Sequence, residues 1–181
     1  MANTFQNKYR IPSTRASFHD YDGGVYFVTI CTAEREHYFG EIKDGKMKYT
    51  EIGLCALENI ENITVHYPYA EIPLYVVMPN HIHLIVFIDN TLSVQCRDVA
   101  RNVSTMKKMS AISPKRGSLS VVIRGFKSAV TRYANQNHIS FSWQSRFHDR
   151  IIRGQNEMNR IAEYIENNPY NWATDEYNEL S

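Results

Sequence analysis

The stretch Pro79-Asn80-His81-Ile82-His83-Leu84-Ile85-Val86 constrains this chain more than any other. A Pro-Asn turn feeds an apolar, β-branched run. Its length and the flanking breakers favour a buried strand over a helix. Side chains on a strand alternate with a period of two, so His81 and His83 leave it on the same face. Two imidazoles so placed can grip one divalent cation, and they can equally be hydrogen-bonded residues of a core. A buried strand needs partners on both sides, and the chain supplies them.

After the Gly23-Gly24 breaker, residues Val25 to Thr32 are rich in β-formers and predict a strand. Segments around 38–42 and 47–50 flank Lys43-Asp44-Gly45-Lys46, whose Asp-Gly signals a hairpin. From Glu51 the period changes: Ile52, Cys55, Ala56, Asn59, Ile60 and Ile63 follow helical spacing up to Tyr67-Pro68. Glu71 to Val77 reads as a second core strand, handed by the Met78-Pro79-Asn80 turn to the histidine strand as its antiparallel neighbour. Leu119 to Asn135 predicts a helix with Val122, Phe126, Ala129, Val130 and Tyr133 on one side and Arg124, Lys127 and Arg132 on the other. Trp143 to Ile152 predicts a final strand. Gly154 breaks it, Asn156 is placed to cap, and Glu157 to Asn167 forms a last helix ended by Pro169.

That order predicts an α+β fold: a ferredoxin-like βαββαβ sandwich on an antiparallel sheet, with an inserted hairpin and an extra C-terminal helix. At 181 residues a single domain is expected over 1–181. It carries an N-terminal arm at 1–20, a basic and mobile connection at 89–117 with a short helix near 99–106, and an acidic, tyrosine-bearing tail at 170–181 to which no role is assigned.

No apolar run is long enough to cross a membrane, and the opening MANTFQNKYR lacks the apolar core of a secretory signal. Cys31, Cys55 and Cys96 are odd in number and widely spaced, as buried thiols in a reducing compartment would be. A cytoplasmic protein without a membrane partner is expected. The net charge of +1 hides an asymmetry: Arg97, Arg101, Lys107, Lys108, Lys115, Arg116, Arg124, Lys127 and Arg132 face only Asp98 as an acid in that segment. Such a segment is either a phosphate-binding footprint or a solvated surface.

On the last helix, Met158, Ile161, Ala162 and Ile165 form one stripe, the face that packs on the sheet. Tyr164 and Asn168, four apart, share a shoulder of that stripe, from which a phenol and an amide oxygen can point toward the histidines. They can also be a fringe of the core and a helix cap. Tyr133, with Asn137 four residues on, has the same spacing, although its alignment with Phe126, Ala129 and Val130 suggests packing.

Four words taken together resemble a known family. Val77-Met78-Pro79-Asn80-His81-Ile82-His83 contains the His-hydrophobe-His (HUH) form. It is followed by Gly125-Phe126-Lys127-Ser128, Trp143-Gln144-Ser145-Arg146-Phe147-His148-Asp149-Arg150-Ile151-Ile152-Arg153 and Tyr164-Ile165-Glu166-Asn167-Asn168-Pro169. In this order, across about residues 8 to 172, they resemble the single-tyrosine HUH transposases, and within them the REP-associated tyrosine transposases. The resemblance implies that Tyr164 is the nucleophile and that Asn168 joins His81 and His83 in the metal site. Imidazole and amide ligation suits Mg²⁺ or Mn²⁺ better than a thiolate-rich zinc site would. The implied reaction is cleavage and joining of single-stranded or hairpin DNA through a 5′-phosphotyrosine. Arg124, Lys127, Arg132 and Arg153 are then candidate DNA contacts, and His148 a candidate base or support. Phe147 and Trp143 are each readable as base-stacking or core residues, with the core reading favoured for Trp143. The long basic connection and the acidic tail depart from the family pattern. A monomer or a homodimer is compatible with the family. Two rival readings are a non-catalytic nucleic-acid-binding module and a metal-dependent hydrolase that uses water, which would leave no protein–DNA adduct.

Overall fold

The computed structural model describes residues 23–89 and 117–178. Strand β1 (Gly24–Cys31) is followed by a short 3-10 turn and by a separate hairpin, β2 (Gly40–Lys43) and β3 (Lys46–Tyr49), whose turn residue Asp44 takes φ 53° before Gly45. Helix α1 (Glu51–Glu61) starts at Thr50, whose hydroxyl accepts the Gly53 N–H, and a single further turn, α2 (Ile63–His66), continues it. Then come β4 (Ala70–Val77), β5 (His81–Ile88), α3 (Leu119–Gln136), β6 (His148–Ile151) and α4 (Gln155–Asn167).

The main sheet has the order β4-β5-β1-β6, with every neighbouring pair antiparallel. The fold is therefore α+β, a four-stranded antiparallel sheet with a separate hairpin. Alternation sorts the sheet's side chains onto two faces. Tyr26, Val28, Ile30, Ile82, Leu84, Val86 and Ile88 form a core with α1 and α3. Val25 and Ile85 point the other way, into a smaller core closed by Met158, Ala162 and Ile165 of α4. His81 and His83 share the parity of Ile85, so they lie on the α4 side. Among the described residues no helix is long and apolar enough to cross a membrane.

Several boundaries differ from expectation. The strand expected from Trp143 is confined to His148–Ile151, and before it only an isolated bridge joins Thr32 to Trp143. There Trp143 packs on Phe39, Phe126 and Phe141 and donates its indole N–H to Lys127 O, so it serves the core. Helix α4 begins two residues early, with Gly154 at its N-cap, so Asn156 lies inside the helix and caps nothing. Asn168 keeps helical angles (φ −56°, ψ −43°) despite the Pro169 that follows. The expected arm, the short helix near 99–106 and the connection, apart from Asp89 and Gly117, lie outside the described residues.

Candidate active site

The turn before β5 sets up the first half of the site. Met78 N–H donates to His81 O (2.8 Å), and Asn80 is buried at the strand's entry. The Asn80 amide nitrogen donates to Arg35 O (3.0 Å) and Tyr177 O (2.7 Å), which leaves Asn80 Oδ1 as the acceptor for His81 Nδ1–H at 2.8 Å. With its proton held at Nδ1, His81 presents a bare Nε2 lone pair. That Nε2 is buried without a hydrogen-bond partner among the described residues, and so is Asn168 Oδ1.

His83 stands beside it, ring centroids 4.5 Å apart, with Nδ1 2.8 Å from Thr29 Oγ1. With Nδ1–H donating to Thr29, Nε2 accepts the Tyr164 O–H at 3.2 Å. The Tyr164 ring also meets Phe27 edge-on, at 6.2 Å between centroids, and Phe27 stacks on His83. Helix α4 explains this placement: its apolar stripe fixes the helix on the sheet, and Tyr164, next to buried Ile165, leans over the histidine row. Both imidazoles are shut from solvent, while Tyr164 keeps 40% of its surface exposed.

Burial dominates the electrostatics. It pushes His83 down to about 3. His81 also falls well below the usual imidazole range, through burial first and then the nearby His83 and Arg35, against a small opposing effect of Asn168. Both rings are therefore neutral and able to ligate at neutral pH. Tyr164 is pushed up to about 12, mainly by burial and next by the Asp175 carboxylate, with the Asn168 amide acting the other way.

The chain's last described segment, to which the sequence assigned nothing, lies over the pair. The Tyr177 ring tilts at 34° against His81, 4.5 Å between centroids, and Trp172 lies 6.0 Å from the same imidazole. Arg35 donates to Glu176 O (2.7 Å) and covers the Tyr177 ring at 4.8 Å, while Asn168 Nδ2 donates to Asp175 Oδ2 at 3.2 Å. Aromatic tail residues nearly a hundred positions from their targets leave no local signal of such a contact.

The fold brings some expected residues to this site and sends others away. Antiparallel partners share a face, so the pairing of Thr29 with both His83 and His148 puts His148 on the histidine row at the β6 edge. Arg153 is exposed just before α4, its backbone N–H held by Glu157 Oε2 at 3.0 Å. Arg124, Lys127 and Arg132 belong to α3, on the opposite side of the sheet, where they line a groove of about 660 Å³ with Ser145 and Phe147. Lys127 is engaged there: its ammonium donates to Gln144 O (2.5 Å) and approaches the Trp143 ring. Tyr133 packs against the α1–α3 core, away from the imidazoles, so its Tyr-Asn spacing carries no site.

No family model matches the chain. An uncharacterized protein of Haemophilus influenzae is 34% identical over 154 residues, 84% of each chain. The chain belongs to that protein's family. Among solved structures, a REP-associated tyrosine transposase bound to a REP hairpin is similar in fold, with a TM-score of 0.55 at 19% identity, over 87% of this chain and 74% of that one. The resemblance to REP-associated tyrosine transposases thus stands in the fold as well as in the sequence words.

The donor set fits one hard divalent cation. No group of three His, Cys, Asp or Glu is present among the described residues. What is present is two neutral imidazoles and an amide oxygen, with two of these lone pairs buried and unpartnered. Leaving them so costs roughly 1–3 kcal/mol each, a cost that a cation removes. The His81–Asn80 and His83–Thr29 bonds are of the kind that orient a ligating ring.

Proposed function

We propose that this protein cleaves and rejoins single-stranded or hairpin DNA through Tyr164, on a ferredoxin-like split βαβ scaffold. The observation that carries this reading is the Tyr164 hydroxyl, 3.2 Å from His83 Nε2, with His81 next in the row, its Nε2 buried without a hydrogen-bond partner among the described residues. His81, His83 and Asn168 would hold Mg²⁺ or Mn²⁺, which when bound neutralises charge on a non-bridging phosphate oxygen.

The chain's own residues supply the rest. Tyr164 must lose its proton, and with its pKa near 12 it needs an acceptor, water or His148 on the same sheet face. The phenolate oxygen then forms a bond to phosphorus and the 3′ oxygen leaves with its electron pair, taking up a proton to become a 3′ hydroxyl. The phosphotyrosine conserves the bond for reversal by another 3′ hydroxyl, so cleavage and joining are one reaction run in two directions. A duplex hinders in-line attack, which favours a single strand or the foot of a hairpin as substrate. The similar solved protein is bound to a REP hairpin, which supports the same class of substrate here.

A covalent-trapping experiment tests this. Hairpin DNA labelled 3′ of the cut is incubated with protein and Mn²⁺ or Mg²⁺, then run on a denaturing gel. A metal-dependent adduct that is lost in Tyr164→Phe and kept in Tyr177→Phe is expected. Cleavage without an adduct would replace tyrosine attack by water attack. A second reading, binding of nucleic acid without catalysis, is favoured by the tail residues that cover the imidazoles. Binding with neither cut nor adduct would select it.

A further inference from the structure

Beside Tyr164 runs a groove that the site described so far does not use. One part, about 450 Å³, is lined by Asp149, Arg150, Ile151, Arg153, Glu157 and Arg160. The other, about 290 Å³, shares Arg150, Glu157 and Arg160 and ends at Phe27 and Tyr164. The two parts meet at Arg150, Glu157 and Arg160, between the β6 edge and the phenol. Arg150 pairs with Phe27 across the sheet, so it projects on the α4 side. Its guanidinium meets Glu157 Oε1 at 2.7 Å, while Glu157 Oε2 takes the Arg153 N–H. The carboxylate is thereby used as a clamp that lays Arg150 along the groove. Arg160 lies one turn before Tyr164 on α4 and has no ion pair or hydrogen bond among the described residues. An uncompensated guanidinium four residues from a nucleophile, with a second one fixed in the same groove, suits an anion that offers two oxygens, as the non-bridging pair of a phosphodiester does.

We propose that Arg160 and Arg150 grip the backbone phosphate next to the one that Tyr164 attacks, and that the single strand enters along this groove. The inference deepens the reading of Tyr164 as nucleophile and rests on it. Holding the neighbouring phosphate would fix the scissile one in line with the phenol, so these are positioning residues. They would contribute in the same layer as the imidazoles, unlike the α3 cations across the sheet.

The test measures binding apart from chemistry. Fluorescent single-stranded hairpin DNA is titrated into the Tyr164→Phe protein at 50 to 300 mM salt, with and without Arg160→Gln or Arg150→Gln. Each loss of a phosphate contact should flatten the log K against log [salt] slope by about 0.7 for a single strand and weaken binding about tenfold. Arg160→Lys should restore the slope, and Lys48→Gln on the β2–β3 hairpin should leave it unchanged. Neutral methylphosphonates placed one at a time on either side of the cut should give non-additive losses with Arg160→Gln at one position. Additive losses at every flanking phosphate, with an unchanged salt slope, would overturn the groove assignment even while a Tyr164 adduct forms. Absence of any adduct in the parent protein would instead overturn the nucleophile and leave the binding result to judge the groove on its own.

Discussion

Acidification should destabilise this protein through its two buried imidazoles, and the size of the effect follows from their burial. The folded state holds His81 and His83 neutral, His83 with a pKa of about 3. In the unfolded chain each takes a proton below about 6.5. Folded pKa values are lowered, so the contribution to stability is fully present above 6.5 and is lost as pH falls, because the unfolded state binds more protons. Each group costs about 1.4 kcal/mol per pH unit in that window, so His83 costs about 2 kcal/mol between pH 7.5 and 5.0, and His81 adds to it in the same direction. Against a total stability of roughly 5–15 kcal/mol, that is a large share. With a urea slope of about 2 kcal/mol/M, the midpoint should fall by at least about 1 M. Trp143 and Trp172 fluorescence reports the transition, in EDTA so that no bound metal contributes. The His81→Gln/His83→Gln variant should lose most of the acid sensitivity. Side-chain NMR of the parent at pH 5 provides a second reading, with both rings still neutral. An equal midpoint shift in parent and variant, or two imidazolium signals at pH 5, would refute the reasoning.

The remaining expectations concern the supports of the site and of the fold. Asn80→Ala removes the acceptor that holds the His81 Nδ1 proton, and Mn²⁺ affinity by calorimetric titration should fall about 10–100-fold; an unchanged affinity would remove His81 from the metal site. Tyr177→Ala takes a ring off His81, so metal-dependent cleavage in a single-turnover assay should speed up, and slower cleavage would make Tyr177 part of the catalytic set. In α1, Gly53→Ala gains up to about 1 kcal/mol in helix propensity, yet its Cβ would overlap the Phe39 carbonyl oxygen, part of the backbone. Urea denaturation should show a net loss of about 1–2 kcal/mol, and a stabilised variant would mean that the α1 contact yields easily.

How much of this was legible in the sequence depends on the range of each interaction. The histidine face followed from strand parity, and the stripe of α4 followed from a period of 3.6, because both are properties of a few adjacent residues. The hairpin at Asp44-Gly45 was equally local. The opposite placement of α3 was not: helical spacing shows that Arg124 and Arg132 face away from a core, but not which face of the sheet that core covers. Likewise, Trp143 carries every mark of a strand residue and joins the sheet by only an isolated bridge, since its ring is needed among Phe39, Phe126 and Phe141. Spacing treated Tyr133-Asn137 and Tyr164-Asn168 alike, and only the sheet between α3 and α4 separates them.

The tail changes which control matters. Tyr133 was the natural rival to Tyr164 on spacing, but a sheet stands between it and the imidazoles. Tyr177, with no helical spacing to recommend it, leans on His81 with the rings 4.5 Å apart and tilted by 34°. A ring packed at a tilt over an imidazole turns much of its π face to it, whereas attack requires a phenolic oxygen free to approach phosphorus in line. Tyr164 meets that condition: its hydroxyl reaches His83 Nε2, its ring is partly exposed, and it opens on the arginine groove. Tyr177, covered by Arg35 and anchored through its own carbonyl to Asn80, occupies space that a substrate phosphate would need in order to reach His81. The two tyrosines therefore predict opposite signs. Loss of the Tyr164 hydroxyl ends adduct formation, and loss of the Tyr177 ring promotes it. If both substitutions abolished the adduct, neither a lone nucleophile nor a displaceable cover would describe the site.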